Sequence, residues 1–180
     1  MGYSPYVIIW DGTYKGEVDS QGYLVSIDIA HHKVHEGNHY FVGDTDTINA
    51  AATKYWHIAA PDTAKRIHFV MEVMTSNSGL LEFYVQPTLT GNGTGLTCFN
   101  SDGNSSNTTT LLIYKDPTVT GDGTLIAPYA IGSNGGANKF GGQIRSGAEV
   151  ILKQNYHYLA KFTADNNNTR VSFIAEFYEV

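Results

Sequence analysis

Arg66–Met74 alternates without a slip: Ile67, Phe69, Met71 and Val73 share one face, while Arg66, His68 and Glu72 share the other. Period two belongs to a strand covered on one side; a helix would return its apolar positions every third or fourth residue. The pattern resumes after the turn Thr75–Gly79, with Leu81, Phe83 and Val85 against Glu82, Tyr84 and Gln86. It appears again at the end of the chain, where Val171, Phe173, Ala175 and Phe177 oppose Arg170, Ser172, Glu176 and Tyr178. The stretch before that last strand, Asp165–Thr169, is a hairpin turn, because Asp and Asn tolerate the left-handed backbone. Sheets with one apolar face must bury it against a second layer, which sets the architecture.

Further strands are expected at Tyr23–Ile27, at His31–Val42 with a bulge near Gly37, and at Lys54–Ala59. Others follow at Leu96–Phe99, Thr110–Lys115, Gly123–Ile131, Glu149–Lys153 and His157–Thr163. Asp44–Thr53 is expected to be a loop, and no segment has convincing helical amphipathicity. Short strands at regular spacing predict an all-β fold: a two-sheet antiparallel β-sandwich, jelly-roll-like, with nine to ten strands. No internal repeat and no second-domain boundary is read, so residues 21–180 form a single jelly-roll domain. Residues 1–20 are set apart as an N-terminal arm or edge strand, whose Tyr6, Ile8, Ile9 and Trp10 are too apolar to be left in water. These four are expected to dock on a neighbouring subunit.

Composition closes several other routes. Only 16% of the 180 residues are charged, too few for a solvating disordered chain. A net charge of −6 argues against nucleic acid as a partner, since little here would release counterions from a phosphate backbone. No stretch approaches the roughly 20 apolar residues of a membrane helix. A secretory leader is not expected from the short apolar run Tyr6–Trp10, so the sequons at Asn92, Asn104, Asn107 and Asn167 are read as loop composition. Cys98 is the only cysteine, compatible with a reducing cytosol, and is read as a small apolar residue rather than a nucleophile.

The candidate chemistry is concentrated in Ile29–Asp44, which holds four of the seven histidines. As a strand, it would place His31, Lys33, His35 and His39 on one face, with His32, Glu36 and Tyr40 on the other. A metal would then meet the Lys33 ammonium, and no H-x-H pair is present, so no metal and no cofactor is expected. His57 and His68 are the histidines that could approach from other strands. Asn100–Asn104 and Asp44–Asp46 resemble the starts of calcium loops, but position twelve counted from Asn100 is Leu111, so turns built by Asn and Asp are expected. No nucleophile elbow or phosphate loop is found. Glu72 and Glu82 are read as outward solubilising groups, and an enzyme is not expected. Tyr84, Tyr114, Tyr129, Tyr156, Tyr158 and Tyr178 exceed what one small core holds, which points to a subunit interface or to stacking on sugars.

Three stretches, Val18–Asp44, Lys54–Val73 and Ile151–Val180, carry a resemblance, most plainly in the run His31–Tyr40 and in the terminal hairpin ending FYEV. Together they resemble the jelly-roll head decoration (cement) proteins of tailed bacteriophages, from about Val18 to the last residue. That resemblance implies a structural protein of the virion, made in the host cytoplasm and seated on the outer capsid surface. It would bind the major capsid protein, self-associate as a trimer or dimer, and stabilise the shell by bridging adjacent capsomers. Tyr6, Ile8, Ile9 and Trp10 would supply capsid or subunit contacts. The alternative is a receptor- or carbohydrate-binding jelly-roll module, a fibre tip or lectin-like domain; a cupin-type enzyme is third.

Overall fold

The computed structural model describes residues 17–18, 24–25, 29–132, 143–145 and 149–180, with side chains at 29–132 and 149–180. Tyr6, Ile8, Ile9 and Trp10 lie outside the described residues. In chain order the elements are β1 (Glu17–Val18), β2 (Leu24–Val25), α1 (Ile29–His35), β3 (His39–Ile48), β4 (Thr53–Ala59) and β5 (Ile67–Thr75). Next come β6 (Gly79–Val85), β7 (Thr88–Gly91), β8 (Thr94–Gly95), β9 (Phe99–Asn100), β10 (Leu112–Lys115) and β11 (Thr118–Gly121). The last are β12 (Thr124–Ile131), β13 (Gln143–Arg145), β14 (Val150–Leu152), β15 (His157–Ala164) and β16 (Thr169–Glu179).

Two large sheets face each other. One runs β13-β5-β16-β3-β9, with β14 also paired to β5; the other runs β12-β6-β15-β4-β10-β8. The eight strands β3-β16-β5-β14 and β4-β15-β6-β12 have the connectivity of a jelly roll, the chain changing sheet at nearly every connection. The all-β sandwich expected from the alternation is therefore formed. Sixteen strands are present among the described residues rather than nine or ten, because Thr/Gly-rich stretches between the long strands also pair, as strands of two to four residues.

The alternating strands bury the expected faces. Burial along β5 switches at every residue, and Val171, Phe173, Ala175 and Phe177 of β16 are all inside. Phe173 stacks on Trp56 from the opposite sheet at 5.0 Å, and Phe177 on Tyr40 at 5.6 Å. Each such aromatic contributes roughly 1.5–3 kcal/mol by leaving water.

The histidine-rich run departs from expectation. Residues 29–35 are helical, and the strand begins only at His39. Gly37, at φ +67°, is the terminator: its N–H donates to Val34 O (2.9 Å) and the Asn38 N–H to Lys33 O (2.9 Å). That pair of bonds is the Schellman closure of a helix, and His32, Lys33 and His35 in the last turn suit its negative end. Gly37 is thus a helix stop, not a bulge. The Asn100 and Asn107 side chains donate to Gly37 O at 2.8 and 3.2 Å, tethering a helix too short to persist alone.

The loop expected at Asp44–Thr53 is confined to residues 49–52, since β3 continues to Ile48 and β4 begins at Thr53. The acidic side chains of β3 are drawn into the strand by a buried cation from the other sheet. Lys54 Nζ lies 2.7 Å from Asp116, 2.9 Å from Asp46 and 3.6 Å from Asp44; Lys115 reaches Asp44 at 3.3 Å. Trp56 Nε1 donates to the same Asp44 at 2.9 Å. The Lys54 hydrogen bond holds the Asp46 carboxyl below its ordinary range. At the far end of the chain the buried Glu179 carboxylate receives Lys65 (2.7 Å), the Thr109 hydroxyl (2.7 Å), and the N–H (2.8 Å) and hydroxyl (2.9 Å) of Thr110.

An internal repeat is present where none was expected. Gln86–Thr94 (QPTLTGNGT) and Asp116–Thr124 (DPTVTGDGT) match at six of nine positions, thirty residues apart. The copies are paired to each other through β7 and β11, with Thr118 opposite Gly91 and Thr88 opposite Gly121. Both start on a left-handed residue, Gln86 (φ 56°) and Asp116 (φ 54°). Both end on a glycine in the same region, Gly93 (φ 89°) and Gly123 (φ 92°). Each glycine sits against the other copy's opening turn: a Cβ on Gly93 would fall 2.1 Å from Lys115 O, and one on Gly123 would fall 2.4 Å from Val85 O. Gly93→Ala is expected to destabilise by at least about 1 kcal/mol, from left-handed strain and backbone overlap together. Gly103→Ala, where a Cβ meets nothing within 4 Å, should leave a urea melt unchanged; equal midpoints for the two would remove the interlock.

Candidate functional site

The histidines do not gather into one centre. His31 and His35 share one side of α1, their Nε2 atoms 3.0 Å apart. His32 turns to Glu36 at 2.9 Å, and Lys33 to the same carboxylate at 2.6 Å. His39 bonds Ser101 through Nδ1 (2.7 Å), and burial holds its pKa down against the pull of Glu176. His39 and His68 stack on either side of Tyr178, with ring centroids 6.4 and 4.5 Å from it, and His68 also bonds Glu149. His57 is fully buried in the other sheet, 2.8 Å from His157 and stacked on Tyr114. Burial, with the His157 charge second, pushes its pKa down to about 4, so it is neutral at pH 7. Among the described residues no three or more His, Cys, Asp or Glu side chains are grouped to hold an ion.

The remaining candidates have structural partners. Burial, aided by the charge of Glu179, pushes the Cys98 thiol up to about 11, far from a nucleophilic thiolate. Asn100 and Asp102 side chains accept from the N–H groups of Asp102 and Asn104, both at 2.9 Å, which makes the segment a pair of turns as expected. Asp44 and Asp46 face the ammonium groups of Lys54 and Lys115. Glu72 lies on β5 and Glu82 on β6, strands of different sheets, so the two carboxylates do not form a pair.

The tyrosines expected at the surface are largely covered. Tyr84, Tyr158 and Tyr178 are 8%, 6% and 5% exposed, and Tyr114, Tyr129 and Tyr156 are half-buried. Tyr84 lies beneath the Lys161 ammonium at 5.7 Å, while Tyr158 packs on Phe83 and accepts the Lys153 N–H at 2.9 Å. Coverage of this kind comes from neighbours distant in sequence, which is why strand alternation alone placed these rings outside.

What is exposed instead is aliphatic and phenyl, and it is arranged along the two sides of the sandwich. On one side Ile126 of β12 and Val150 of β14 line one cleft, and their chain neighbours Leu125 and Ile151 are exposed as well, all four at 37–53% exposure. The apolar walls of that cleft also include Phe69, Phe83 and Tyr129. On the opposite side Phe41 of β3 and Phe99 of β9 meet at 5.8 Å, and Leu112 of β10, in the other sheet, is exposed too. Exposed apolar groups clustered this way mark contact surfaces. Alternation places Phe41 outward, between buried Tyr40 and Val42, but the others fall in strands too short, or too near an edge, for a pattern to single them out.

No helix among the described residues is long and apolar enough to cross a membrane. Compared with models of protein families, with curated proteins and with solved structures, the chain finds no match.

Proposed function

We propose that this chain is a virion structural protein that binds the outer surface of a phage capsid and braces adjoining capsomers. The observation that carries this reading is the pair of exposed apolar margins on opposite sides of one sandwich. A brace needs two separated adhesive surfaces and a body that does not yield between them. The ion pairs of buried Lys54 with Asp44 and Asp46 across the sheets and the aromatic stacking of Trp56 on Phe173 tie the two layers together. The partners are the major capsid protein and further copies of the chain. Binding only to the assembled lattice raises its resistance to rupture by mass action, and many modest contacts repeated over a symmetric surface add as avidity.

The test is to mix the protein with expanded heads that lack it. Saturable co-sedimentation and a higher head-disruption temperature are expected. Ile126→Asp with Ile151→Asp, and separately Phe41→Asp with Phe99→Asp, change side chains that are about half exposed, and circular dichroism with a urea melt of each pair should show the isolated fold still formed. Each pair should abolish the gain in head stability. Heads that take up no protein would end the proposal, and a pair of changes without effect would remove that margin from it.

A further inference from the structure

We propose that His31 and His35 form a two-imidazole clamp for a divalent transition ion of the Cu2+ or Ni2+ type. This stands apart from the capsid reading and rests on α1 being a helix. On a strand the two histidines would share a face with Lys33. On a helix, residues four apart lie nearly above one another while the residue between them projects to the far side. Lys33 is indeed turned away, held by Glu36 at 2.6 Å, so its ammonium does not oppose a cation at the pair.

The geometry selects the class of ion. The Nε2 atoms share a hydrogen bond at 3.0 Å, which an ion between them would replace, with ring centroids 4.8 Å apart and the planes tilted by 57°. With metal–nitrogen bonds of about 2.0–2.1 Å, that separation gives an N–M–N angle of about 90–100°. Such an angle suits adjacent corners of a tetragonal or octahedral ion; a tetrahedral zinc site needs the nitrogens farther apart. Copper and nickel are also the ions that imidazole holds most strongly in the divalent series. Both rings are exposed, so an ion from solvent can reach the pair.

The clamp is held in place before any ion arrives. A helix of seven residues would ordinarily fray, but the Gly37 closure and the Asn100 and Asn107 tethers fix its last turn. His35 therefore loses little backbone freedom on binding, and the Nε2 hydrogen bond already draws the His31 ring to it, which favours affinity.

The experiment is a titration of the tag-free full chain with Cu2+ in a non-coordinating buffer, followed by calorimetry and electron paramagnetic resonance. One ion per chain with splitting from two imidazole nitrogens is expected. His31→Ala and His35→Ala should each weaken binding by more than about 10-fold, the lower end of what even an outer-shell partner costs. His32→Ala and His68→Ala should bind as the parent does. Alanine favours a helix, so metal-free melts of the His31 and His35 variants should match the parent and report the fold intact. Binding undiminished in His31→Ala or His35→Ala would overturn the proposal, as would a parent chain binding no more tightly than the variant lacking both.

Discussion

Lys54→Met should lower the unfolding free energy by about 3–5 kcal/mol at pH 7, the usual cost of removing one partner from a buried ionic cluster. Methionine keeps the stem packed, so the loss reports the ammonium alone. The lysine side chain is 3% exposed and Asp44 6%, whereas Asp46 and Asp116 are about half in water, at 47% and 57%. Without Lys54, Asp44 keeps the Trp56 N–H and the Lys115 ammonium at 3.3 Å, but Lys115 is 36% exposed and water-screened, too little to offset the desolvation of Asp44. Asp46→Asn and Asp116→Asn, which remove half-exposed anions, should each cost under about 1 kcal/mol. Urea melts with unchanged slope would show this asymmetry. A Lys54→Met variant as stable as either asparagine variant would mean that water reaches the cluster freely.

The second large effect is expected at Glu179. Burial alone would raise its pKa, but the bonds from Lys65, Thr109 and Thr110 outweigh burial and hold the carboxyl below its ordinary 4.5. A carboxyl with a depressed folded pKa contributes stability that is fully present above the unfolded value. That contribution is lost as pH falls through the folded one. Glu179→Gln should therefore cost about 2–3 kcal/mol at neutral pH, from charge-assisted hydrogen bonds replaced by weaker ones. It should also flatten the decline in stability below pH 4.5. Unfolding midpoints measured across the acid range for parent and variant decide this: parallel curves would place the acid sensitivity elsewhere.

These two groups show where reading the sequence succeeds and where it stops. Ile67–Thr75 and Thr169–Glu179 were legible because period-two burial is a local property of the strand. The Asp-Thr-Asp-Thr run looked like a loop because aspartate is poor in strands; what admits it is Lys54, contributed by another strand, and no local pattern announces that. The helix at Ile29–His35 did leave a signal, a glycine two residues past its last residue and basic residues in its last turn. Four histidines with little apolar periodicity hid it. The duplicated Gln86–Thr94 and Asp116–Thr124 segments could also have been found, but Thr, Gly and Asn in quantity suggest loop before they suggest repetition. Candidate residues were harder still: coverage of Tyr84 by Lys161 and the opposed apolar margins depend on how distant segments are brought side by side.

The paired nine-residue segments act as a buckle. Because each glycine is seated under the other copy's opening turn, residues 95–115 form a span fastened at both ends by its own flanks. Once the ends are fastened, lengthening such a span adds only a slowly growing entropic cost. Gly103 faces open space near its middle, on the far side of the Asn100 tether from the buckle. New residues spliced in there would ride on the outside of the molecule, and the two sheets would not have to move to admit them.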